Sequence, residues 1–135
     1  MKPNPGRLLL VTGHEETRSM MTPILWGCGY AVTTAKNGID ALHLARIERF
    51  AGYVLDFWLP DGTGVKLCRQ LRAFDPQTPI LICSTAVCQP IRQQALAASA
   101  QADRFTLVSP QELELSLGRL LNAEAVSEKV MRKSA

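Results

Sequence analysis

No apolar run in this 135-residue chain approaches the roughly 18 residues that a membrane span requires; stretches such as Leu8 to Val11 and Ile80 to Cys83 stop after four. The start, Met1 to Gly6, holds Pro and Gly in place of the apolar centre of a secretory leader, so no membrane association and a cytoplasmic location are expected. Paired cysteines are also missing. Cys28, Cys68, Cys83 and Cys88 contain no C-x-x-C spacing, which argues against the usual zinc sets and a disulfide framework and leaves reduced packing thiols. Clustered charge of one sign is absent. The net charge is only +3, with Lys66, Arg69 and Arg72 offset by Asp61 and Asp75, so there is no stripe to gather nucleic-acid phosphates and no nucleic-acid partner is expected. Nor does the chain contain a G-x-S-x-G, Walker A or H-E-x-x-H sequence.

What is present is an alternation of short apolar runs with longer segments of helical period, the pattern of βα units around a parallel sheet. Strands are predicted near 7–12, 30–35, 52–56, 79–84 and 104–108, and helices near 15–28, 37–49, 62–74, 90–101 and 110–121. Ile39, Leu42, Ala45 and Ile47 on one helix, and Val65, Leu67, Cys68 and Leu71 on another, supply faces to lay on the sheet. Asn37-Gly38 and Asp61-Gly62 read as turns before helices, and Pro23 as a kink in the first helix. The length fits one domain, with 1–6 a disordered start, 7–121 the packed domain and 122–135 a tail or helical extension carrying Val126, Val130 and Met131.

Asp56 is the residue with chemical promise. It closes the run Tyr53-Val54-Leu55-Asp56 and is followed by Pro60 at +4 and Gly64 at +8, which places a carboxylate at the carboxyl end of a buried strand, where open α/β sheets gather their ligands. With Leu59-Pro60, Gly64 and the later run Pro79-Ile80-Leu81-Ile82-Cys83-Ser84, the chain resembles the CheY-like receiver domains of two-component response regulators over about residues 7–121. The resemblance implies a flavodoxin-like (βα)5 doubly wound sandwich, a five-stranded parallel sheet with helices on both faces. It further implies that Asp56 is the phosphoacceptor, Ser84 the hydroxyl that senses the phosphoryl group, and Phe105 the aromatic that turns inward as a switch.

The chain departs from the family where phosphoryl chemistry is served. The two acidic residues that hold Mg²⁺ in the family fall at Thr12 and Gly13, and the lysine that bonds phosphoryl oxygens falls at Thr106. Mg²⁺ requires hard oxygen ligands in near-octahedral array, so Asp56 offers at most a weak Mg²⁺ position, with no cofactor and no dedicated metal site expected. Glu15 and Glu16 stand near enough in sequence to offer replacement carboxylates, although acidic residues there also suit a helix N-terminus. His14 reads as a ligand, a base or a solvated loop residue. Trp58, two positions after Asp56, either shields the carboxylate or presents an aromatic contact to a partner.

These departures lead to the expectation of an atypical, stand-alone receiver, not an enzyme, that acts as a phosphorylation-independent protein interaction module. The expected partner is a histidine kinase, another regulator, an effector or a second copy. In the family, partners dock on the fourth helix, fifth strand and fifth helix, which implies Arg92, Arg104 and Leu107 as interface residues here, beside Trp58. The alternative is a working phosphoacceptor that takes phosphate on Asp56 from a histidine kinase. A dehalogenase-type phosphatase is disfavoured, because its second aspartate would lie two residues after Asp56 and here Asp61 lies five after it. A thiol switch at Cys83 and Cys88 would need thiolates stabilised by neighbouring cations or a helix N-terminus.

Overall fold

The computed structural model describes residues 6–83 and 90–119. Its elements run β1 (Arg7–Val11), α1 (Glu15–Gly27), β2 (Ala31–Ala35), α2 (Gly38–Ile47), β3 (Gly52–Asp56), β4 (Trp58–Leu59), β5 (Gly62–Thr63), α3 (Gly64–Arg72), β6 (Ile80–Cys83), α4 (Pro90–Asp103) and β7 (Thr106–Val108). A 3₁₀ turn, Pro110–Glu112, leads into α5, described over 113–119. Five strands form one parallel sheet in the order β2-β1-β3-β6-β7, the doubly wound flavodoxin-like arrangement.

Both faces of the sheet are covered, which is why its strands read as unbroken apolar runs and not as alternating ones. Leu9, Val11, Tyr53, Leu55, Ile80 and Ile82 pack with Ala41, Leu67, Cys68 and Leu71 from α2 and α3 on one side. Leu8, Leu10, Val54, Leu81 and Cys83 pack with Met21 and Leu25 of α1 and Leu113 and Leu117 of α5 on the other. In α2 the predicted stripe holds at Leu42 and Ala45, which pack against the α2–α3 side of the core, and fails at Ile39 and Ile47, which are 71% and 67% exposed, while Gly38 and Ala41 are buried. Small residues at 38 and 41 let this helix sit close to the sheet and turn the two isoleucines outward. Helix α1 continues through Pro23, with the Thr22 hydroxyl donating to the Arg18 carbonyl at 2.7 Å.

The predicted strand at 104–108 starts two residues late because Arg104 takes a left-handed conformation with φ 58°. It ends α4 in the position usually given to glycine, and the Phe105 N–H closes the turn on the Ala100 carbonyl at 3.0 Å. Arg72 holds this costly turn. Its guanidinium donates to the carbonyls of Arg104 (2.6 Å), Asp103 (3.3 Å), Thr78 (2.7 Å) and Asp75 (3.2 Å), and Arg69 pairs with Asp103 at 3.0 Å. The α3–β6 and α4–β7 connections are thereby tied to the end of one helix. Nearby, Asp75 accepts from the Tyr53 hydroxyl at 2.7 Å and from the Thr78 hydroxyl and N–H at 2.8 and 3.2 Å. A cleft of about 680 Å³ lies at this amino end of the sheet, lined by Arg46, Phe50, Phe74 and Gln77 among others, at the opposite end from Asp56.

Arg72→Ala should lower the free energy of unfolding in urea by about 2 kcal/mol, since its charge-assisted hydrogen bonds are lost together. Arg72→Lys should recover only part of it, because an ammonium cannot span the same fork. Burial works to raise the Asp75 carboxyl, but its bonds from Thr78 and Tyr53 outweigh that and hold it below its ordinary value. A carboxyl depressed in the folded state stabilises above its unfolded pKa, about 3.9, and that contribution is lost as pH falls through the folded value. The stability of the wild type should therefore fall more steeply than that of Asp75→Asn on acidification from pH 4, followed by thermal unfolding.

Candidate functional site

β2 lies on one side of β1 and β3 on the other, so the chain reverses its winding direction between β1 and β3, and the carboxyl ends of these two strands flank the switch point where such folds bind ligands. The side chains there are Thr12 and Asp56. Thr12 is wholly buried; its N–H donates to the Ala35 carbonyl at 3.1 Å. Its hydroxyl donates to Asp56 Oδ2 at 3.2 Å and accepts from the His14 N–H at 3.2 Å. Asp56 is half-buried. Burial raises its carboxyl above the ordinary range, while the Thr12 hydrogen bond, the charge of His14 and the Phe57 N–H act in the opposite direction.

The chain after Asp56 folds back at once. Phe57 donates to the Cys83 carbonyl at 3.0 Å and accepts from the Gly64 N–H at 2.8 Å. A Cβ at Gly64 would lie 2.5 Å from the Asp56 carbonyl oxygen, and this close approach explains the glycine eight residues after the aspartate. Between them stands the small antiparallel hairpin β4–β5, with Trp58 opposite Thr63 and Leu59 opposite Gly62, which the sequence reading missed. Pro60 and Asp61 form its turn, followed by Gly62 at φ 153°. Asp61 does more than turn the chain: its carboxylate accepts from the N–H groups of Gly38 (2.8 Å) and Ile39 (3.0 Å), and these bonds hold it below its ordinary pKa despite some burial. It caps α2 from 23 residues away, beside Asn37, which accepts from the Asp40 N–H at 2.8 Å.

Of the other predicted residues, Phe105 is buried in the core, and Thr106 is an exposed residue of the edge strand β7. Trp58 is 52% exposed and meets Phe57 edge to face at 4.9 Å. Arg104 is exposed in its left-handed turn, while Leu107 is half-buried against the core. Glu15 and Glu16 stand exposed in the first turn of α1. Ser84, Cys88, the side chain of Arg92 and the tail 122–135 lie outside the described residues. Cys83 is buried, and burial followed by the Asp56 charge pushes its thiol up to about 12, the opposite of what a reactive thiolate needs. Beside Asp56 remains a crevice of about 40 Å³ lined by Thr12, Thr17, Met20, Met21 and Cys83, far below the roughly 300–1,000 Å³ of small-molecule pockets.

The lone carboxylate at the switch point of a five-stranded doubly wound sheet is the frame of a signalling receiver. The family model for the response regulator receiver domain matches residues 8–106. The response regulator MprA of Mycobacterium sp. (strain KMS) is 32% identical over 116 residues, 86% of this chain and 49% of MprA. The chemotaxis protein CheY4 of Vibrio cholerae superposes with a TM-score of 0.71 at 28% identity, over 84% of this chain and 97% of CheY4. The receiver domain of a sensor histidine kinase from Pseudomonas aeruginosa PAO1, with a magnesium ion coordinated in its active-site cleft, shares the fold at a TM-score of 0.71 and 24% identity, over 87% of this chain and 95% of that one. The chain belongs to the response regulator receiver domain family; it spans about half the length of the curated relatives it matches.

The residues present do not fit the magnesium ion of such a site. Thr12 offers a hydroxyl already engaged by Asp56, Gly13 offers no side chain, and among the described residues no group of three His, Cys, Asp or Glu side chains is placed to hold a metal.

Two outcomes follow from this geometry. Gly64→Ala should lower stability by about 1–3 kcal/mol, as overpacking does, here against rigid backbone. Asp56→Asn should unfold at a higher temperature than wild type at neutral pH. A carboxyl whose folded pKa is raised contributes stability that is full below its unfolded pKa and is lost as pH rises through the folded value. The advantage of the asparagine should accordingly shrink when the comparison is repeated below pH 4.

Proposed function

We propose that this receiver domain works in two-component-type signalling as a protein interaction module whose binding state does not depend on phosphorylation of Asp56. One observation carries the reading: Asp56 accepts from the buried Thr12 hydroxyl, with Gly13 next in the chain, at the positions where the family places its two metal-binding acids. A phosphoaspartate has a charge to be neutralised by metal and ammonium, and neither is provided here. The packed frame is nevertheless kept, with Gly64 pressed on the end of β3 and Arg72 bracing the α4–β7 turn.

The surface formed by α4, β7 and α5 is the proposed docking face, for a histidine kinase, another regulator, an effector or a second copy of this chain. Ile91 on α4 is 81% exposed and Leu115 on α5 is 59% exposed, and β7 is an edge strand with one side unpaired within the sheet. Homodimerisation by a two-fold contact is compatible with such a face. Retention of Asp56, half-exposed at the strand end, favours the second reading, a phosphoacceptor served by a histidine kinase.

Immobilised wild type, Asp56→Ala and Arg104→Glu, each offered a lysate of the source organism, separate the two readings. The same partner should be recovered with wild type and Asp56→Ala and be lost with Arg104→Glu. Loss with Asp56→Ala and retention with Arg104→Glu would contradict the module reading.

A further inference from the structure

We propose that the cleft at the amino end of the sheet is a second binding site, for an acidic segment of a partner protein whose carboxylates pair with Arg46 and Arg49 while a neighbouring apolar side chain packs on Phe74 and Ile47. The site goes beyond the docking face named above and uses neither Asp56 nor the α4–β7–α5 surface.

The cleft has two walls. One is the end of α2 with the connection to β3, residues 45–50, and the other is the α3–β6 connection, residues 74–78. A cation–π contact joins them, with the Arg46 guanidinium carbon 5.4 Å from the centre of the Phe74 ring. Held against that ring, the guanidinium has less rotamer freedom to lose when it binds. The second wall is braced as well, since Arg72 holds the carbonyls of Asp75 and Thr78. Phe50 lines the cleft but is itself buried, so the apolar surface on offer is Phe74, 40% exposed, together with Ile47.

The charge left unpaired in the cleft is positive. Of its two acids, Glu48 pairs with Arg7 at 3.4 Å, and Asp75 accepts from the Tyr53 and Thr78 hydroxyls. Arg46 and Arg49 are both exposed, and among the described residues neither has a carboxylate partner. The carboxyl end of α2 favours a cation nearby, but it carries only about half a negative charge against two arginines. A carboxylate from outside is therefore the complementary group, and a guanidinium can meet it through two parallel hydrogen bonds. The exposure of the walls selects the kind of ligand. Arg46, Ile47, Arg49, Phe74 and Gln77 all face solvent, whereas a small-molecule pocket encloses most of its ligand's surface. Arginine and aromatic side chains grouped on an exposed surface suit a protein partner, and two arginines are too few to follow a nucleic-acid backbone.

Random short peptides displayed on phage and selected on the immobilised full chain test the inference. The selected sequences should be enriched in Asp and Glu beside apolar residues. A synthetic copy of one should bind about tenfold more weakly to Arg46→Gln and to Phe74→Ala by fluorescence anisotropy, as the loss of one charged hydrogen-bonded contact predicts. Arg46→Lys should restore only part of the affinity. Lys66→Gln, which removes the same charge from α3, should bind as wild type does. The three substituted side chains are exposed, so the variants should melt close to wild type and report on binding alone. Selection of sequences without acidic residues, failure to select any, equal weakening by Lys66→Gln or indifference to Arg46→Gln would each overturn the inference. So would a single-stranded oligonucleotide that binds through Arg46 in the same assay, since it would assign the arginines to phosphate.

Discussion

The loop after β3 folds back on the strand so closely that the Gly64 N–H bonds the Phe57 carbonyl and no Cβ fits between position 64 and the Asp56 backbone. That contact sets the direction in which Asp56 leaves the sheet and the place where the β4–β5 hairpin can stand. The hairpin in turn puts Pro60 against Gly13 and Asp61 against the first N–H groups of α2. One close approach of backbone to backbone thus links the ends of β1 and β3 to the start of α2, and the chemistry available at Asp56 is decided by what those neighbours offer.

They offer a hydroxyl, a glycine with no side chain, and crevice walls that include Met20, Met21 and Cys83. In the family's arrangement an ionised cluster is balanced by a cation; here a half-buried carboxylate has the Thr12 hydroxyl, the His14 charge and the Phe57 N–H, and burial outweighs them in setting its proton affinity. Desolvation that outweighs these opposing effects makes Asp56 a mild liability to folding, not an anchor. The strongest polar connections lie at the other end of the sheet, where Arg72 and Asp75 bind the connecting loops. These connections stand apart from the carboxyl end of the sheet where Asp56 lies.

Much of this was legible in the sequence because it follows from local pattern. Runs such as Leu8-Leu9-Leu10-Val11 and Ile80-Leu81-Ile82 announce strands buried on both faces, and the spacing of Asp56, Pro60 and Gly64 locates the site. The threonine and glycine at positions 12 and 13 were visible too, once the family resemblance supplied positions to compare. Illegible were the features made by residues distant in sequence. Asp61 reads as a turn residue, and only the fold brings it to Gly38; Arg72 reads as an exposed helix-end charge, and only the fold places four carbonyls around it. Helix α2 was legible only in its middle, where Leu42 and Ala45 face the core; Ile39 and Ile47 match a helical period, but the fully buried positions are the smaller Gly38 and Ala41.

The most direct measurement is the intact mass of the protein after incubation with a small-molecule phosphodonor, with and without Mg²⁺, alongside Asp56→Ala. A carboxylate tethered to Thr12 with no metal beside it should gain no mass that depends on Asp56 under either condition. A gain of one phosphoryl group that requires both Asp56 and Mg²⁺ would contradict the account, because it would mean that a metal enters a pocket where a hydrogen-bonded threonine and a glycine stand at the family's acid positions.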